Sequence, residues 1–225
     1  MTPPPLRRSF VDDRLRARGA TLAPVNDGLA AVDYGDPSAE RAALANLALV
    51  DLSLSPRAGF KGPGAPEWLV GEGVVLPEPN RAWRQADGSL AVRLAPREAL
   101  LLGGPADGGL EASWRAARES RPGEPIGYPV PRTDSHFWFL VTGERAPAML
   151  AKLCGVDLRP HRFAPLQVAQ TQAMRLSAVI VRDGGEARPA WHLLADSGAA
   201  GYAWDCLVDA MAEFGGRPAG LDALA

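Results

Sequence analysis

Two stretches of this sequence follow one pattern, and that shared pattern limits the fold more than any other feature. Residues 62–69 read Gly-Pro-Gly-Ala-Pro-Glu-Trp-Leu and residues 143–150 read Gly-Glu-Arg-Ala-Pro-Ala-Met-Leu, both of the form Gly-x-x-Ala-Pro-x-apolar-Leu. Each follows a strand-like apolar run and precedes a helix-compatible segment. Glycine lets the backbone bend where a strand becomes a helix, and proline in a first helical turn gives up only an amide that has no partner there. The match continues beyond the turns, with Gly73-Val74-Val75-Leu76-Pro77 after the first and Gly155-Val156-Asp157-Leu158-Arg159-Pro160 after the second. Coincidence between two ordinary strand-to-helix turns is the plain alternative. The extended match predicts an internal duplication.

With 225 residues, 47% of them apolar, the chain can bury a core without a covalent staple. A net charge of -2 provides no clustered positive field, which argues against a nucleic-acid or anionic-membrane partner. Residues 1–8 lack the apolar run of a signal peptide, and the longest wholly apolar stretch, Phe137 to Val141, is far too short to span a bilayer. The expected location is the cytoplasm. Cys154 and Cys206 are expected on the buried faces of two separate helices as small hydrophobes, with a disulfide or metal pair as the alternative.

Residues 1–20 mix Pro, Arg and Asp with few apolar anchors and read as a mobile tail or an arm that orders on a partner. A strand is expected over 29–34 and a helix over 39–49 with Ser38 as its cap. Further on come a strand through 58–60, a short helix over 66–71, a hairpin of 90–94 with 99–102, and a helix over 110–119. Six Pro and Gly residues between Arg121 and Pro131 mark a linker. The second half predicts a strand over 136–141, buried on both faces as in a sheet covered on each side. A helix over 144–154 follows, stopped by a left-handed Gly155. A hairpin of 176–181 with 191–194 then turns at 182–185, and a last helix starts after Ser197 and ends at Gly215 and Gly216. Residues 21–225 thus form a single mixed α+β domain. Its two β-α-ββ-α halves, about 21–120 and 132–216, are joined by the Pro/Gly-rich linker, with mixed sheets backed by helices.

The same residues yield no catalytic motif. The glycine-rich run from Gly59 to Gly64 has neither the Lys-Ser/Thr ending of a phosphate loop nor dinucleotide-fingerprint spacing. Ser197 lies in Ala-Asp-Ser-Gly-Ala rather than a nucleophile elbow, which suits helix capping. His136, His161 and His192 fall on three separate elements without metal-ligand spacing, and a metal site joining them with Cys154 is the weaker alternative. Asp33, Asp51 and Asp134 sit near strand ends, where carboxylates commonly cap backbone amides. Trp204 projects off the main apolar stripe of its helix, which fits an interface and a second buried face equally well. No catalytic, cofactor-binding or metal-binding residue is assigned.

Tyr34-Gly35-Asp36-Pro37 with Glu40, Val50-Asp51-Leu52-Ser53, and Gly62-x-x-Ala65-x-x-Trp68-Leu69 resemble the amino-terminal run of a glycine-cleavage T protein. Leu150-x-x-x-Cys154-Gly155-Val156-Asp157-Leu158 and Tyr202-x-Trp204-x-x-Leu207-x-Asp209-Ala210-x-x-Glu213-Phe214-Gly215-Gly216 are more similar to the gamma subunit of heterotetrameric sarcosine oxidase. The resemblance, to the aminomethyltransferase-like superfamily, extends over residues 15 to 216 and implies that superfamily's folate-binding-domain fold. It departs from the pattern in lacking the additional barrel domain, the family's acidic residue near the folate, and the Lys-Gly-Cys-Tyr motif of related iron-sulfur repair proteins, where this chain has Ala164-Pro165-Leu166-Gln167. The resemblance implies a non-catalytic subunit in one-carbon metabolism that packs with flavin-bearing alpha and beta subunits of an amine-oxidising complex. Tetrahydrofolate and flavins would belong to that complex and none to this chain. A stand-alone folate-binding protein or aminomethyltransferase-like enzyme is the alternative.

Overall fold

The computed structural model of the chain describes residues 6–103, 109–184 and 188–225. In chain order its strands are β1 (Arg7–Arg8), β2 (Thr21–Val25), β3 (Gly28–Asp33), β4 (Ala48–Asp51), β5 (Arg57–Lys61), β6 (Arg81–Arg84) and β7 (Leu90–Ala95). They continue with β8 (Glu98–Leu102), β9 (Tyr128–Pro129), β10 (His136–Thr142), β11 (Val168–Ala173), β12 (Leu176–Asp183), β13 (Ala190–Asp196) and β14 (Arg217–Pro218). The α-helices are α1 (Asp12–Ala17), α2 (Pro37–Asn46), α3 (Ala65–Gly71), α4 (Gly109–Ser120), α5 (Ala146–Leu150) and α6 (Ala200–Ala212), with 3-10 turns at Ser197–Ala199 and Leu221–Leu224.

The two larger sheets share one strand plan. Their orders are β6-β7-β8-β5-β9 and β11-β12-β13-β10-β4-β14. β5 and β10, which lead into the two Gly-x-x-Ala-Pro turns, occupy corresponding places. Each is antiparallel to the last strand of its hairpin, β8 or β13, and antiparallel on its other side to β9 or β4. The duplication expected from the repeated turn is therefore present in the sheet topology. The borrowed strands are crossed over: β4 lies directly ahead of the first repeat but completes the sheet of the second, and β9 lies directly ahead of the second but completes the sheet of the first.

This exchange explains how the chain divides into compact units. One unit comprises residues 1–54, 136–165 and 169–225, and the other 55–135 and 166–168. The boundaries expected from sequence, near 120 and 132, are not those of the contact pattern, because a strand lent across the repeat carries its flanking segments with it. The Pro/Gly-rich stretch is accordingly no separate linker: β9 lies inside it and pairs with Phe60 and Lys61. The segment read as a tail is also folded from Leu6 onward. β1 pairs in parallel with β3, and Val11 and Leu15 are fully buried.

Within the first unit, β10 is buried on both faces, as its apolar run requires. Phe137, Phe139 and Val141 pack with Ala203, Trp204 and Leu207 of α6 and with Val11 and Leu15 of the α1 region. Leu140 of the opposite face joins Ala48 and Val50 of β4, Ala43 and Leu44 of α2, and Ala219 and Ala223 near the carboxyl end. The second unit packs Phe60, Ala91, Ala99 and Leu101 against Trp68 and Leu69 of α3 and Ala117 of α4. Each fully buried Phe or Leu contributes about 1.5–3 kcal/mol relative to exposure.

The repeated glycines do what their position demands. Gly62 has φ 109° and Gly143 has φ 116°, both in the region L side chains avoid. A Cβ on Gly143 would lie 2.4 Å from the Asn46 carbonyl oxygen, and one on Gly62 would lie 3.2 Å from the Tyr128 ring. In both repeats the close neighbour is the chain arriving at the borrowed strand.

Several local expectations are corrected. Helix α2 ends at Asn46 rather than 49, because Leu47, Ala48, Leu49 and Val50 are all buried and the chain from Ala48 onward is β4, a strand covered on both faces. Its cap is the Asp36 carboxylate on the Ala39 N–H, not Ser38. Helix α5 stops at Leu150, so Cys154 lies beyond it, bridged to Ala173, and Gly155 does not adopt a left-handed conformation. Polar β11 and the short strands β2 and β6 carry no strong alternation and were not foreseen. The expected turn after β12 falls partly on residues 185–187, outside the described ones.

Candidate functional site

The most developed buried polar arrangement gathers around Glu40. This residue lies one turn into α2, behind the Tyr34-Gly35-Asp36-Pro37 run, where the Asp36 cap and Pro37 start the helix. Glu40 is 1% exposed. One of its oxygens accepts the Tyr34 N–H at 2.7 Å and the other accepts the Gly220 N–H at 2.8 Å. A buried carboxylate survives only when its oxygens are satisfied, and two backbone amides do that here. The chain leaving β3 is thereby tied to the carboxyl end. Gly220 is required at that tie, because a Cβ there would lie 2.1 Å from the Val32 carbonyl oxygen. Burial pushes the Tyr34 phenol well above its ordinary 10.0, and the nearby Asp51 and Glu40 carboxylates push it the same way. Asp51 receives the Ser9 hydroxyl and the Ser53 N–H, while the Ser9 oxygen also accepts the Val11 N–H.

A second group lies on β10, β12 and β13. Alternation along β13 puts His192 on the same sheet face as Trp138 and Leu140. The Trp138 indole N–H donates to His192 Nδ1 at 3.0 Å, and His192 Nε2 stands 3.3 Å from Asp183 Oδ2. Because Nδ1 accepts, the ring hydrogen of a neutral His192 is on Nε2 and points at Asp183. Ser53 donates to the Trp138 carbonyl and accepts its N–H, and Thr142 donates to the Pro189 carbonyl at 2.9 Å. These contacts orient side chains and tie strands together. In the second unit, Glu98 bridges Lys61 at 3.0 Å and Arg132 at 2.6 Å, and Arg57 donates to the carbonyls of Arg132, Ser55 and Thr133.

The remaining candidates from sequence do not converge. His136 begins β10, His161 is on an exposed loop, and only His192 is buried. Cys154 and Cys206 are free thiols, Cys154 buried and Cys206 half-buried on α6. Among the described residues, no three His, Cys, Asp or Glu side chains gather as metal ligands. Ser197 lies in the 3-10 turn ahead of α6, but the cap there is the Asp196 carboxylate on the Gly198 N–H. Asp33 accepts the Thr21 hydroxyl and the Gly35 N–H, a capping role like that of Asp51, and Asp134 is exposed. Trp204 is resolved as core, 1% exposed and edge-on to Phe139. Asp183 has no sequence signal because its partner is nine residues away across a hairpin; Glu40 stands out in sequence only as part of the Tyr34-Gly35-Asp36-Pro37 resemblance, and its buried role does not, because a buried glutamate on a helix looks like any surface one.

All eight buried polar or charged residues among the described ones are engaged internally: Ser9, Glu40, Ser53, Arg57, Ser89, Thr142, Arg182 and His192. Other buried donors, the indole N–H groups of Trp68, Trp191 and Trp204, have no hydrogen-bond partner among the described residues.

Two repeat-built sheets backed by helices, with a crossed pair of strands, define an aminomethyltransferase-like α+β fold. The chain is similar to a chain of the heterotetrameric sarcosine oxidase from Corynebacterium sp. U-96 in complex with pyrrole 2-carboxylate. The likeness covers 92% of this chain and 96% of that one, at a TM-score of 0.66 and 20% identity. It is also similar to the glycine cleavage system aminomethyltransferase T from Bartonella henselae, over 97% of its own length, at a TM-score of 0.72 and 17% identity. It spans 60% of that aminomethyltransferase. No protein family matches the sequence, and no curated protein sequence matches it. No helix among the described residues is long and apolar enough to cross a membrane.

Proposed function

We propose that this chain is a gamma-like accessory subunit of a heteromeric sarcosine oxidase or related N-methyl amine oxidising complex of the cytoplasm, and is not catalytic alone. The observation that carries this reading is the reciprocity of the match to a chain of the heterotetrameric oxidase: 92% of one chain on 96% of the other. A domain that had merely been reused inside a larger enzyme would leave much of the larger chain uncovered, as happens with the aminomethyltransferase. In this reading flavin is carried by the alpha and beta partner chains, and tetrahydrofolate, where used, is bound by the complex rather than by this chain alone.

The competing reading is a stand-alone folate-binding protein or transferase. Calorimetric titration of the purified chain with tetrahydrofolate separates the two. The subunit reading predicts no saturable heat. Saturation in the micromolar range, about -8 kcal/mol of binding free energy, would support the alternative.

A further inference from the structure

Strand β6 reads Arg81-Ala82-Trp83-Arg84, and alternation puts Arg81 and Trp83 on one face. Trp83 is 50% exposed, a large apolar surface for a side chain that sits directly opposite Ala91 in the ladder. Beside it, Val75 is 53% exposed. The Gln85 side chain holds it there, bonding the Val75 N–H at 2.9 Å, the Val75 carbonyl at 3.0 Å and the Trp83 carbonyl at 3.0 Å. Arg81 is directly opposite Arg93, a like-charge pair that weakens a ladder unless something else compensates it. Arg93 donates to the Pro77 and Pro96 carbonyls, and among the described residues neither arginine is paired with a carboxylate. An exposed indole next to two uncompensated guanidiniums has the residue types that dominate interface energetics, at the edge of a protein whose net charge is negative.

We propose that the Trp83, Val75 and Arg81 surface of the second unit docks a partner chain of the oxidase assembly, and that this partner presents a carboxylate beside an apolar side chain. The inference rests on the subunit reading above and names the contact surface within it. The carboxylate would neutralise the Arg81 and Arg93 pair, and the apolar side chain would cover the indole and Val75.

The test is affinity purification of the tagged full chain, expressed in its own cells, with co-purifying chains identified by mass and flavin absorbance. Wild type, Trp83→Ala, Arg81→Glu and the control Tyr202→Ala, an exposed aromatic of the first unit, are compared at matched thermal midpoints. Trp83→Ala and Arg81→Glu are expected to reduce recovery of the flavin-bearing chain by about tenfold or more, with Tyr202→Ala unchanged. Recovery of that chain by both variants at the wild-type level overturns the proposal. Loss with Trp83→Ala but not with Arg81→Glu overturns the carboxylate half of it. Failure of wild type itself to bring down a flavin-bearing chain defeats the subunit reading instead, and this inference with it.

Discussion

Replacing Gly143 by alanine tests the reading of the repeated turn as a backbone requirement. At φ 116° an L residue is strained, at a cost of about 1–3 kcal/mol. The added Cβ would also meet the Asn46 carbonyl oxygen at 2.4 Å and its carbon at 2.5 Å. Backbone cannot swing aside as the end of a flexible side chain can, so the segment ahead of β4 must shift. That shift endangers the Arg145 N–H bond to the Asn46 carbonyl at 3.0 Å, about 0.5–1.5 kcal/mol. Alanine recovers about 0.4–1 kcal/mol by restricting the unfolded chain. The net loss is about 1–4 kcal/mol, which lowers the thermal midpoint of a chain this size by about 2–4 °C per kcal/mol. Gly155→Ala is the control, because Gly155 has ordinary backbone angles and nothing within 4 Å of its would-be Cβ. Circular dichroism melts of the two variants give the answer. An unchanged midpoint for Gly143→Ala, or equal falls in both variants, would refute the reasoning.

Glu40→Ala should cost about 2–4 kcal/mol in denaturant unfolding, since it strands two buried N–H groups, with Glu40→Gln losing less; a loss no larger than that of the exposed Glu72→Ala would show that the tie is dispensable. Tyr34 provides an alkaline signature. Its folded pKa is raised above the unfolded value of 10.0, so its contribution is complete below about pH 10 and is lost as pH rises further. The melting midpoint should therefore fall above pH 10, and Tyr34→Phe should fall less steeply; parallel curves would count against a buried phenol.

Much of this fold was legible because it depends on local chemistry. The Gly-x-x-Ala-Pro turns, the both-faces-apolar run at Phe137 to Val141, and the stripe of α6 each announce a backbone requirement or a buried face, and each is found in the structure. The crossed strands were not legible. β4 and β9 are short, and nothing in Ala48 to Asp51 or Tyr128-Pro129 says that the partner lies across the repeat boundary, since pairing is decided by sheet completion at long range. Leu47 to Val50 even continues a helical spacing, and only burial on both faces makes Ala48 to Val50 a strand. The polar clusters were harder still. Ser38 and Ser197 have good capping chemistry, but Asp36 and Asp196 precede them and take the amides. The Glu40 tie depends on Gly220, which only the folded chain brings within reach. Trp204 could be read either way from its helix alone, and Phe139 decides it.

The central claim, that this chain works as one subunit among unlike partners, is tested most directly by the native mass of the tagged protein purified from its own cells, measured by light scattering with flavin content recorded on the same peak. The account predicts a particle well above the 23.8 kDa of the chain alone, carrying flavin and chains of other sequence. A flavin-free peak containing this polypeptide and nothing else would contradict it.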